Sequence, residues 1–157
     1  MIRPLSFFAL TLTAVVCVGC APAERNEAGD IDVAGSVDAF EIQVGDCYDD
    51  RVSLSEDVSD VPGVPCTVPH DNEVFATFDV TSSAWPGEDR ITELADEGCM
   101  ERFEGYVGAT YEESVLLITT LMPSEGSWNQ IGDREVVCVA YHMELDKLTG
   151  SVRNSGM

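Results

Sequence analysis

Four cysteines, Cys47, Cys66, Cys99 and Cys138, constrain this chain more than any other feature. An even number of cysteines in a small exported domain reads as two disulfides. A zinc site needs paired spacing such as C-x2-C, and none of the four has it. Four cysteines allow three connectivities. The favoured pairing is Cys47–Cys66 with Cys99–Cys138. The first would close an acidic loop at its base. The second would staple the core face of a helix to a strand.

Disulfides need an oxidising compartment, and the N-terminus points to one. Arg3 precedes an apolar run from Leu5 to Val18. As a helix the run would be about 21 Å long, short of the ~30 Å hydrocarbon core of a bilayer. It reads as the apolar region of an export signal covering residues 1–19. The run ends in Val18-Gly19-Cys20-Ala21, which resembles the lipobox of bacterial lipoproteins, with Cys17 where that pattern usually has Leu. On this reading Cys20 carries lipid, and the chain sits on the extracytoplasmic face of the cell membrane. The alternative is cleavage after Ala21-Pro22-Ala23 and secretion. Residues 20–38 hold few large apolar side chains and read as a flexible acidic tether.

The formal charge of -21 excludes some partners. Such a surface repels nucleic acid and anionic headgroups, and it suits cations or a basic partner.

The folded domain is expected over residues 39–153, with a tail at 154–157. Phe40, Ile42 and Val44 alternate with polar residues and predict a strand. Residues 49–63 read as an acidic surface loop. Val74, Ala76, Phe78 and Val80 predict one face of a strand, with Phe75 and Thr77 on the other. Ile91, Leu94, Ala95, Cys99, Phe103 and Tyr106 recur at helical spacing over 89–106. Gly98, on the same side, would admit the strand bearing the partner cysteine. Residues 114–122 and 135–141 predict central strands, and 146–152 a short last one. The order predicts an α+β fold, with one main helix on a small, mainly antiparallel sheet and two disulfides.

Val64-Pro65-Cys66-Thr67-Val68-Pro69-His70-Asp71-Asn72-Glu73-Val74 is the densest stretch. A histidine beside two carboxylates can bind metal or act as a base. In an extended chain, however, Asp71 and Glu73 would fall on one side and His70 on the other, and the residues also suit a turn after Pro69. Trp128, on a Gly/Ser-flanked loop, is either an exposed aromatic contact or a lid over the sheet. Asp133 and Arg134 read as a local pair. Calcium at Asp46, Asp49 and Asp50 would lack the spacing of an EF-hand loop. No serine stands in a nucleophile elbow. No catalytic residue, metal or cofactor is therefore assigned. His70, Asp71, Glu73, Trp128, Asp133 and Arg134 remain candidate contacts for a partner or ligand.

Val44-Gly45-Asp46-Cys47-Tyr48, then Val64-Pro65-Cys66 and Pro69-His70-Asp71-x-Glu73-Val74, resemble the septum-formation-related domain of bacterial envelope proteins, common in actinobacteria. The likeness continues through Trp85-Pro86-Gly87, Tyr106-Val107-Gly108, Ser127-Trp128, Gly132-Asp133-Arg134, Val137-Cys138 and Leu148-Thr149-Gly150-Ser151. It implies an extracytoplasmic domain with paired cysteines and a link to septum formation, with no catalytic mechanism attached. The resulting expectation is a lipid-anchored, non-enzymatic binding module for an envelope protein or wall polymer. The alternative is a lipoprotein that binds metal or a small ligand through His70, Asp71 and Glu73.

Overall fold

A computed structural model describes residues 21–50 and 59–157. The expected export signal, the lipid attachment at Cys20 and most of the acidic loop lie outside the described residues. The elements are β1 (Glu24–Arg25), β2 (Ile31–Val33), β3 (Gly35–Asp38), β4 (Cys47–Tyr48), β5 (Asp60–Val64), β6 (Asn72–Asp79), α1 (Glu88–Val107), a 3-10 turn (Tyr111–Glu113), β7 (Leu116–Leu121), α2 (Glu125–Gln130) and β8 (Glu135–His142). The main sheet is antiparallel, in the order β3-β5-β4-β6-β8-β7. Strands β1 and β2 form a small second sheet. The fold is α+β, as the sequence predicts.

Helix α1 lies on one face of the sheet. Acidic Glu88 and Asp89 occupy its first turn, where the helix dipole favours them. Gly108, with φ of 84°, ends it in the left-handed conformation that glycine adopts without strain. Its buried stripe, Ile91, Ala95, Cys99, Phe103 and Tyr106, meets Phe75, Ala76, Val136, Cys138 and Ala140 of the sheet. Cys99 and Cys138 are bonded across this interface with Cα atoms 5.4 Å apart, and Cys47 and Cys66 are bonded with Cα atoms 5.2 Å apart. Both are the favoured pairs. Gly98 makes room for the Phe78 ring of β6, rather than for the strand bearing the partner cysteine. Arg102 covers the same ring, its guanidinium carbon 4.4 Å from the centroid.

Strict alternation fails in β6 for a definite reason. The β6–β8 register shifts between Val74 and Ala76, so Phe75 is an inserted bulge residue. Phe75 and Ala76 therefore both join the helix-side core, while Val74 joins a second core with Ile31, Val37, Ile42, Tyr48, Val61, Val137 and Val139.

That second core overturns the tether expected over 20–38. Within it, residues 24–38 supply three strands, and Ile31 and Val37 are each only 6% exposed. Two apolar residues suffice because the edge of β5 supplies the backbone pairing. Gly35 is required at this edge: a Cβ there would come within 2.6 Å of backbone atoms of Ala21, Pro22 and Ala23. The Ala23 amide donates to the Ser36 carbonyl, and the Ser36 amide to that of Ala21.

Other boundaries also move. The strand expected at Phe40–Val44 is a loop with Ile42 buried. A strand that was not expected, β5, runs instead through the end of the expected acidic loop. Val-Pro-Gly-Val reads as a turn, yet Pro62 stands opposite Ser36, whose backbone groups turn outward to Ala21 and Ala23. The missing proline N–H therefore removes no bond between β3 and β5. Strand β7 is the sheet edge rather than central, whereas β8 is interior. Residues 146–152 form no strand, and Leu148 makes only a bridge to His70. The tail is pinned to the end of α1: the Asn154 amide donates to the Tyr106 carbonyl and the Gly156 amide to that of Val107.

Candidate functional site

Strand β6 begins at Asn72, so the chain before it does not alternate as a strand. The Val68 amide donates to the Pro65 carbonyl, closing a turn between the two prolines. His70 then exchanges two backbone hydrogen bonds with Leu148. The cluster His70, Asp71 and Glu73 is thereby split among three sets of partners.

His70 is fully buried, and its Nδ1 lies 2.8 Å from the Val68 carbonyl, to which it donates. Its Nε2 meets no polar partner among the described residues. Asp71 lies at the surface, where it accepts from Lys147 Nζ at 2.7 Å and from the Asp50 amide at 2.9 Å. Lys147 also reaches Asp49 at 2.8 Å. Glu73 is fully buried and accepts three bonds, from Tyr106 Oη at 2.7 Å, Ser151 Oγ at 2.6 Å and the Val152 amide at 2.7 Å. Burial, then the bond to Glu73, pushes the Tyr106 hydroxyl above its ordinary pKa. The phenol stays protonated and donating. Glu73 thus ties β6, α1 and the C-terminal segment together.

Burial alone would raise the Asp71 pKa, but the bonds from Lys147 and the Asp50 amide and the charge of Lys147 outweigh it and lower it. Burial lowers that of Lys147, but the bonds it donates to Asp49 and Asp71, with their charges, outweigh it and raise it. The Asp71 contribution to stability is complete above the ordinary Asp value of about 4 and is lost as pH falls through its lowered native value. The Lys147 contribution is complete below the ordinary lysine value and is lost as pH rises through its raised native value. Both groups are partly exposed, which limits the gain. Lys147→Ala should therefore cost less than about 1 kcal/mol and flatten the acid limb of stability against pH. Urea melts across pH 2–6 check this.

The expected calcium trio is also divided. Asp50 accepts from the Asn72 amide group at 2.7 Å, and Asp49 is held by Lys147. Asp46, 3% exposed, accepts from the two terminal guanidinium nitrogens of Arg25, Nη1 and Nη2, the latter at 2.7 Å, and from the Gln43 amide at 2.8 Å. This bidentate pair fastens β1 to the loop before Cys47. Arg25→Met should cost about 2 kcal/mol, because it strands a buried carboxylate that keeps one amide bond. Thermal melts against the parent chain check it.

Trp128 is 2% exposed, and of the two readings it fits the lid. Its ring packs edge-on to Trp85 at 5.5 Å, under the Arg134 guanidinium at 3.7 Å. Arg134 Nη1 donates to the carbonyls of Trp128 and Asp133. Asp133 accepts from Ser127 Oγ at 2.8 Å and from the Glu135 amide at 3.1 Å. Ser124 and Ser127 form a reciprocal capping box that starts α2. Trp128, Asp133 and Arg134 therefore form one lid.

Two further groupings bring potential metal ligands together: Cys47, Cys66 and Glu73, and His142, Glu144 and Asp146. In the first, both sulfurs are spent in the disulfide, so no thiolate is available. The second is an exposed turn in which His142 Nδ1 already accepts from the Glu144 amide.

Sequence reasoning missed Arg25, Asn72, Tyr106, Lys147 and Ser151 as partners in these networks. The signal for the basic ones was scarcity. With 8 Lys and Arg against 29 acids, a basic residue is seldom far from a carboxylate.

No curated protein and no solved structure matches this chain. The model of the septum-formation family matches residues 44–155, which take in both disulfides, the Glu73 network and the Trp128 lid. The chain belongs to the septum-formation family.

Proposed function

We propose that this chain is an exported, lipid-anchored, non-catalytic binding module that serves septum formation from the extracytoplasmic face of the cell membrane. The family match carries this reading. The two disulfides agree with an oxidising compartment. The conspicuous polar side chains are engaged in holding the fold, which favours a module that presents a surface. Its partner is an envelope protein or wall polymer, and a charge of -21 disfavours nucleic acid. The metal-binding alternative at His70, Asp71 and Glu73 loses support, because the three have separate partners. The anchor in this reading is lipid on Cys20, on the strength of the Val18-Gly19-Cys20-Ala21 motif.

The packing of Ala21 on Ser36 adds a consequence. Lipid on Cys20 would hold β3 close against the bilayer, with no slack between anchor and domain. The mature chain should begin at Cys20, carry the mass of a lipid modification and enter the detergent phase. Cys20→Ala should release it to the medium, and a fluorescent fusion should gather at septa. An unlipidated mature N-terminus and uniform distribution in dividing cells would refute the reading.

A further inference from the structure

The two edges of the main sheet are finished differently. The β3 edge is covered, since Ser36 bonds to Ala21 and Ala23. The β7 edge has no such cover among the described residues. The Met143 amide donates to the Val115 carbonyl, and the register runs unbroken from Leu116 opposite His142 to Leu121 opposite Val137. Alternation then turns the backbone groups of Leu117, Thr119 and Leu121 toward β8 and those of Ile118 and Thr120 outward. Edge strands are ordinarily blunted with charge, proline or a bulge. Leu116-Leu117-Ile118-Thr119-Thr120-Leu121 has none of these.

Beside the end of this edge runs a groove of about 640 Å3. Phe40, Leu121 and Met122 line it, together with Thr120, Asp133 and Glu135. Phe40 is 57% exposed and Met122 41%. Glu135 stands opposite Asp79 in the β6–β8 ladder. Burial and repulsion from Asp79 and Asp133 raise the Glu135 pKa, against a bond from Thr77 that lowers it. None of these three carboxylates has a cationic side chain paired with it among the described residues.

We propose that the free edge of β7 and this groove dock an extended segment of an envelope protein as an added strand, its apolar side chains on Phe40, Leu121 and Met122 and a Lys or Arg beside Glu135. The outward backbone groups of Ile118 and Thr120 supply the pairing, and the groove and carboxylates supply the side-chain preference. The docking surface rests on the binding-module reading above and names its partner's chemistry.

The probe is a fluorescent ten-residue peptide alternating valine and lysine, titrated into the full mature chain in detergent at about 0.15 M salt, where long-range attraction is screened. A second peptide of equal charge carries an N-methyl group on every backbone nitrogen, so neither of its edges can donate to a neighbouring strand. The first should bind at least about tenfold more tightly than the second. Thr120→Pro, which removes an outward-facing N–H and no β7–β8 bond, should abolish the difference. Phe40→Ser and Glu135→Gln, each with an unchanged melting temperature, should weaken binding about threefold to tenfold. Equal affinity for the two peptides, failure of both to bind, or displacement of the peptide by wall glycan fragments would each overturn the docking surface. The lipid mass and septal position stand apart from this titration, so its failure leaves the binding-module reading intact.

Discussion

Cys138→Ser should lower the stability of the oxidised chain by about 4 kcal/mol. The disulfide to Cys99 spans a separation of 39 residues, and closing a loop of that size removes about this much conformational freedom from the unfolded chain. Both sulfurs are fully buried between α1 and β8, so the variant also leaves a thiol and a hydroxyl without solvent. Typical domains hold only about 5–15 kcal/mol in all. The variant should therefore melt far below the parent and expose α1 to proteolysis. Cys47→Ser opens a loop of shorter separation, 19, and should cost about 3 kcal/mol. Denaturant melts of both variants, without reductant, measure the difference. Equal, small losses would mean that the disulfides do not carry the fold.

Glu73→Ala should be comparably severe, at about 3–5 kcal/mol. Three donors converge on this carboxylate: the Tyr106 hydroxyl, the Ser151 hydroxyl and the Val152 amide. Removing the acceptor leaves the Tyr106 hydroxyl and the Val152 amide unsatisfied in the core, each at about 1–3 kcal/mol, whereas the exposed Ser151 hydroxyl can turn to water. Glu73→Gln keeps one acceptor oxygen but turns an amide N–H2 on the remaining donors, so its loss should be about half as large. The ordering of the two variants separates a structural carboxylate from a ligand. A ligand role would leave both melts unchanged while abolishing binding.

The fold was legible where periodicity and chemistry agreed. Helix α1 runs over Glu88–Val107, against an expected 89–106, because acidic first-turn residues and a following glycine bracket a clear apolar stripe. The disulfide pairs followed from placing Cys99 on that stripe. Strand β5 was hidden, because Pro62 and Gly63 carry a turn signature and only pairing with β3 and β4 makes them a strand. Strands β1 to β3 were hidden because Ile31 and Val37 are too sparse to show a period. Their stability comes from the sheet edge, from Gly35 and from an ion pair between Arg25 and Asp46, 21 residues apart.

The candidate site was legible as a list and not as a geometry. His70, Asp71 and Glu73 adjoin in sequence, yet the turn at Pro65–Val68, the bridge to Leu148 and the start of β6 at Asn72 send them to different partners. Trp128 stood in the sequence as either an exposed contact or a lid, and its burial under Arg134 depends on the cap of α2 by Ser124 and Ser127. The open edge of β7 could not be read at all. Leu116–Leu121 looks like an interior strand, and its position at the edge is a property of the strand order alone.

The central claim is that this domain works by presenting a surface to an envelope partner. Photo-crosslinking in dividing cells tests it most directly, with the reactive residue placed in turn at Phe40, Met122 and Met100, all exposed. The account predicts one envelope protein joined from Phe40 and Met122 and not from Met100 on α1, with the adduct lost in Thr120→Pro. Absence of an adduct from every position, or equal labelling from all three, would contradict it.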